Sequence, residues 1–236
     1  VLVAAAVCPH PPIIVPEMAG EAAPELDALR AACDRAVRSL SGCDVLIVVG
    51  GGTETRAYGP DAYATLRPYG LDWTSPGEPE DGAEALPLSL TIGHWLLRRQ
   101  GVEAGARYQA VAFDARPQEC LTLGAELAGS GERVALLVMG DGSAARSEKA
   151  PGYLDERALP HDRRVARALG HADAAALAAL DPGVARDVQA AGRAAWQVLA
   201  GAAASGAFSG ELLADEAPYG VGYLVAGWSR TGGSSA

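Results

Sequence analysis

The chain has few of the residues on which common catalytic sites are built. Of its 236 residues, only four are His and four are Cys. No two cysteines form a CxxC pair and no Cys/His group has zinc spacing. HExxH, the GxSxG elbow, a GxGxxG turn after a strand and a GxxxxGK[ST] loop are all missing, which removes the common metalloprotease, hydrolase and nucleotide signatures. Lys and Arg form no stripe longer than Arg98-Arg99 and Arg163-Arg164, and the net charge is −10. An acidic surface repels phosphate backbones, so nucleic acid is not an expected partner. No apolar run is long enough to cross a bilayer, and the first seven residues lack a basic leader segment. The chain is therefore read as cytoplasmic, with Cys8, Cys33, Cys43 and Cys120 reduced.

What is present is an aliphatic chain, 49% hydrophobic with only 6% aromatic residues, patterned as alternating strands and helices. Residues 2–7 form an apolar run that ends at Pro9, followed by a proline-braced loop over 8–20. Residues 24–40 place apolar side chains at helical spacing. A second strand, 44–49, runs into Gly50, Gly51 and Gly52. The stretch 53–87 is rich in Gly, Pro, Tyr and Asp and reads as a long loop with a short hairpin. A helix (88–99), a strand (108–113), a helix (117–128) and a strand (133–139) come next. Helices are expected over 161–169, 172–180 and 182–204, and strands over 211–214 and 221–228. Residues 1–228 are read as one domain and 229–236 as a disordered tail. Apolar strands alternating with helices imply a three-layer α/β/α architecture on a mostly parallel, mixed sheet. Ligands bind such sheets beyond the carboxyl ends of the strands. That points to the loops 8–20, 50–60 and 140–154.

The most specific feature is the opening strand followed by Pro9-His10-Pro11-Pro12-Ile13-Ile14-Val15-Pro16-Glu17. It resembles the N-terminus of the LigB-like superfamily, which contains the class III extradiol ring-cleavage dioxygenases and the Memo-like proteins. The run Asp141-Gly142-Ser143 through Lys149-Ala150-Pro151-Gly152-Tyr153-Leu154-Asp155 is similar to a dioxygenase-like branch. Ala191-Gly192-Arg193 and Ala217-Pro218-Tyr219-Gly220 are similar to the last third of that family. The resemblance spans roughly residues 1–228 and implies a LigB-like fold. It also implies Fe(II) held by two His and one carboxylate, with a further His as acid/base. His10 matches the first ligand. Gly50-Gly51-Gly52-Thr53-Glu54 stands where the second His is expected, Ala144 where the acid/base His is expected, and Ala191 at the third ligand. Three of four positions are unmatched, so no metal or cofactor is expected. Glu54 is the one residue that offers a replacement donor.

Read from the residues alone, each candidate has two roles. His10, fixed between two prolines, is a pocket-wall acid/base group or a histidine satisfied by backbone. Gly50, Gly51, Gly52 and Thr53 offer backbone N–H groups to an anion or only turn the chain, and the turn is preferred; Gly51, Thr53 and Glu54 are counted among the pocket residues. Asp141 and Ser143 face the pocket or cap a turn. Arg193 points into the pocket or out to solvent. Tyr58, Tyr63, Tyr69 and Trp73 form a lid or a subunit contact. The expected function is a dioxygenase-like protein without iron. Its pocket would bind a small molecule or a partner subunit, and the chain is expected to be a homo-oligomer or a partner subunit. An active Fe(II) dioxygenase and a ligand-free structural homo-oligomer are the alternatives.

Overall fold

A computed structural model describes residues 1–232. The elements in chain order are β1 (Leu2–Cys8), α1 (Pro16–Ala19), α2 (Asp27–Arg38), β2 (Val45–Gly52), β3 (Arg56–Ala57), β4 (Ala64–Thr65), β5 (Thr74–Ser75), α3 (Leu88–Arg99), β6 (Arg107–Ala112), α4 (Pro117–Ala128) and β7 (Val134–Met139). Then follow α5 (Ala158–Gly170), α6 (Ala174–Ala178), α7 (Pro182–Asp187), α8 (Arg193–Ala203), β8 (Phe208–Glu216) and β9 (Tyr223–Arg230).

Seven strands form one sheet in the order β3-β6-β2-β7-β1-β9-β8, and β4 and β5 pair separately. The four central strands are parallel, with β7 flanked by β1 and β2 (Ala5↔Leu136 and Ile47↔Leu136). Strands β9, β8 and β3 are antiparallel additions at the edges. Strand β7 shows why the central strands read as continuous apolar runs. Val134, Leu136 and Val138 join the core under α4, α5 and α8. Ala135, Leu137 and Met139 join the core under α2 and α3. Both faces are covered, so no position in the strand calls for a polar side chain. The protein is thus α/β, with a mixed, mostly parallel sheet between two helical layers.

Several boundaries differ from the sequence reading. The helix expected over 182–204 is two, α7 and α8, because Gln189 takes a left-handed conformation at φ 55° that no helix tolerates. Residues 20–26 form a 3-10 segment, so α2 begins only at Asp27 and Pro24 lies before it. The final strand continues through Ser229 and Arg230, and Thr231 N donates to Ala207 O at 2.8 Å. The expected tail is therefore ordered at its start, and residues 233–236 lie outside the described residues. Gly50, Gly51 and Gly52 are not a turn but the last three residues of β2. A Cβ at Gly50 would fall 2.5 Å from Ser89 Oγ, and one at Gly51 would overlap the Phe113 ring. The glycines admit close neighbours rather than a change of direction. Helices α4 and α8 also meet backbone to backbone. A Cβ on Gly124 would overlap the Val198 carbonyl, and one on Gly201 the Leu121 carbonyl.

Candidate functional site

The carboxyl ends of the four parallel strands, Cys8, Gly52, Ala112 and Met139, lie at one edge of the sheet. A cleft of about 310 Å³ opens there, lined by His10, Gly51, Thr53, Glu54, Tyr58, Tyr69 and Phe113, among others. His10 follows β1 and is only 7% exposed. Its backbone N–H donates to Asp141 Oδ1 at 2.7 Å, and its Nδ1 lies 3.6 Å from the same oxygen. Nδ1 is buried with no hydrogen-bond partner among the described residues. Asp141 follows β7, and its carbonyl accepts from Gly192 N at 2.8 Å. One carboxylate thus ties the β1 loop to the β7 loop and faces the imidazole edge. The buried Tyr223 hydroxyl is held above the usual phenol range by burial and by the Asp141 charge.

Other candidates occupy different places. Thr53 and Glu54 are exposed at the rim, and Glu54 pairs with Arg56 Nη1 at 3.3 Å. Ser143, expected in the pocket, is fully buried. Its N–H and hydroxyl both donate to Asp162 at 2.7 Å. Burial raises the Asp162 pKa despite these bonds and the Arg146 guanidinium 3.7 Å away. Arg193 does not reach the His10 cleft either. It is 3% exposed, and Nη1 donates to Ala115 O at 2.5 Å and Gln197 Oε1 at 3.0 Å. Nη2 donates to Phe113 O at 2.6 Å. A buried guanidinium has five donors to satisfy, and these acceptors hold it as a brace under the turn between β6 and α4. Burial lowers its pKa.

Of the four rings expected to form a lid, Tyr58 and Tyr69 line the cleft. Trp73 instead packs on His94, with centroids 6.4 Å apart. His94 is saturated: Ser75 Oγ lies 2.8 Å from Nε2, and Tyr108 OH lies 2.6 Å from Nδ1. Arg98 Nη1 also donates to Ser75 Oγ at 2.7 Å, and both ring nitrogens have a partner in either tautomer. Burial holds the His94 pKa below its usual value, Glu103 opposes the shift and Arg98 reinforces it. His161 in α5 also has an unpartnered Nε2, but it is not part of the cleft wall. His171 is at the exposed end of α5, near Arg167 O.

The sequence reading missed Phe113 and Ser89. Phe113 is the first residue past β6, on the same sheet edge as His10, so its position at a strand end was the available signal. Ser89 opens α3, and its hydroxyl donates to Gly51 O at 2.7 Å. Nothing in the pattern marks it.

The donor set does not fit the iron that the resemblance implies. Ala144 and Ala191 carry no donor atoms, and the Glu54 carboxylate is taken up by Arg56. Among the described residues, no three His, Cys, Asp or Glu side chains converge as a metal site requires. No helix among them is long and apolar enough to cross a membrane.

No family model and no curated protein matches the chain. Among solved structures, it is similar to the crystal structure of the uncharacterized protein JW3007 from Escherichia coli K12. The TM-score is 0.59 at 11% identity, over 96% of this chain and 99% of that one. At that identity the likeness shows the fold, a seven-stranded mixed sheet between helices, and nothing about chemistry.

Proposed function

We propose that this is a dioxygenase-like protein that has given up iron chemistry and binds a small molecule in the cleft beside His10. The observation that carries the reading is the His10 imidazole, nearly buried and facing one carboxylate, with too few further donors around it for a metal. Buried polar atoms are normally paired; Nδ1 is not, and the ring lines the cleft, which suits a group kept for a ligand. Asp141 lies 3.6 Å from Nδ1, beyond hydrogen-bond reach, so the ring meets a ligand hydroxyl as donor or acceptor. Tyr58, Tyr69 and Phe113 supply flat apolar walls. Together these suit an uncharged or weakly acidic molecule with a hydroxyl group and an apolar body.

Two measurements test this. Protein incubated anaerobically with Fe²⁺ and desalted is expected to retain no stoichiometric iron and to consume no O₂ with catechols. Stoichiometric iron with O₂ uptake would establish the alternative, an active Fe(II) dioxygenase with other ligands. A thermal-shift screen of small hydroxylated molecules is expected to yield stabilisers whose effect disappears in His10→Ala. A screen with no stabilisers, on a chain that self-associates, would favour a ligand-free homo-oligomer.

A further inference from the structure

Phe113 borders two cavities, not one. On one side is the His10 cleft of about 310 Å³. On the other is a hollow of about 380 Å³, walled by Pro182, Ala185, Ala190 and Ala191, with Arg186 and Gln189 among its lining. Each volume is near the lower end of what small-molecule sites occupy, roughly 300–1,000 Å³, and the two together lie well inside that range. Both are mostly apolar. The first adds the imidazole and the Thr53 and Glu54 rim. The second sets Pro182 and three alanines among the exposed Asp114, Arg186 and Gln189.

The backbone and the side chain of Phe113 are held very differently. Its N–H donates to Gly52 O at 3.1 Å, and its carbonyl accepts from the buried Arg193. Arg193 is fixed in turn by Ala115 and Gln197, and Gln197 donates to Ala178 O and Leu180 O at 3.0 Å. The main chain here is a rigid platform. The side chain is 50% exposed, a large value for a phenyl group in an apolar wall. It lies against Gly51, where any Cβ would overlap it. Rotation about χ1 moves the ring without disturbing the platform, and half-exposed rings change rotamer quickly.

We propose that Phe113 is the specificity-determining partition of a single two-part trough. The ring at rest admits a one-ring molecule beside His10. When displaced, it admits an elongated amphipathic molecule whose polar end meets His10 and whose apolar end fills the Pro182–Ala191 side. This rests on the reading of the His10 cleft as a ligand site, and the test separates the two.

The probes are phenol and 4-phenylphenol, titrated calorimetrically into wild type, Phe113→Ala, Gly51→Ala and His10→Ala. Phe113→Ala is expected to bind 4-phenylphenol about tenfold or more tightly than wild type, with phenol changed by less than about threefold. Gly51→Ala keeps the ring but forces it aside, so it is expected to show the same selective gain. If Phe113→Ala fails to fold by circular dichroism, Phe113→Leu gives the same comparison with a smaller gain. Equal gains for both probes, or no gain for 4-phenylphenol in any folded variant, would overturn the partition. Phenol binding to wild type that His10→Ala leaves unchanged would instead remove the cleft reading, whatever the Phe113 variants do.

Discussion

His94 and His10 are both 7% exposed, yet they belong to opposite kinds of region. Around His94 every polar group has a partner: Arg98 with Ser75, Ser75 with the ring, the ring with Tyr108. Around His10 the network stops. Asp141 takes the backbone N–H and leaves Nδ1 at 3.6 Å, beside a cleft. The first arrangement fastens the 53–87 stretch to α3 and β6. The second does little for the fold that a smaller residue could not do. Burial alone therefore does not distinguish the two; an unsatisfied ring together with its place on the cleft does.

The contrast can be broken by substitution. The largest effect is expected from Arg193→Met, which closes no cleft but leaves the Phe113, Ala115 and Gln197 acceptors without a donor. A loss of about 3–5 kcal/mol in urea unfolding is expected. A loss below about 1 kcal/mol would mean that the brace is dispensable. His94→Leu should cost about 2–4 kcal/mol, because Tyr108 loses its partner inside the protein and Ser75 loses one of two. If His94→Leu were as stable as wild type and His10→Ala were not, the assignment of roles would be reversed.

Acid sharpens the same point. His94 and His161 both have depressed pKa values, chiefly through burial. The unfolded chain binds their protons near pH 6.5, the folded chain only at lower pH. Their contribution to stability is complete above that pH and is lost as the pH falls through the folded values. Wild type should therefore lose stability as the pH falls below about 6.5, and His94→Gln should lose less, by up to about 1.4 kcal/mol per pH unit. Asp162, whose pKa is raised, works in the opposite direction and is common to both proteins, so it cancels in the difference. The smallest effect belongs to His10→Ala. Its unfolding free energy should stay within about 1 kcal/mol of wild type while stabilisation by hydroxylated ligands disappears. A larger loss would make His10 a second His94.

The sequence already contained the framework. Apolar runs at β1, β2 and β7 and the helical spacing of α2 follow from burying both faces of a sheet, and burial leaves a readable composition. Single-residue conformations were not readable. Nothing in the run from Pro182 to Ala204 announces that Gln189 takes a positive φ, and a triple glycine looks like a turn until the neighbours that crowd it are known. At the site, His10 and Asp141 were legible because prolines and glycines fix their loops at strand ends. Ser143 and Arg193 were legible as unusual but not as buried, since their partners, Asp162 and the carbonyls of Phe113 and Ala115, are distant in the chain. Phe113 was passed over because an aromatic residue at the end of an apolar strand looks like more of the strand.

The meeting of α4 with α8 at Gly124 and Gly201 has a consequence for how a ligand comes and goes. With no side chain between the two backbones, neither helix can slide or tilt without a main-chain clash, and β6 is anchored above them through the turn that Arg193 braces. That helical layer is therefore a fixed slab, whereas Tyr58 and Tyr69, which line the His10 cleft, belong to the strand-poor stretch 53–87. Amide exchange there should be the first to slow when a ligand is bound.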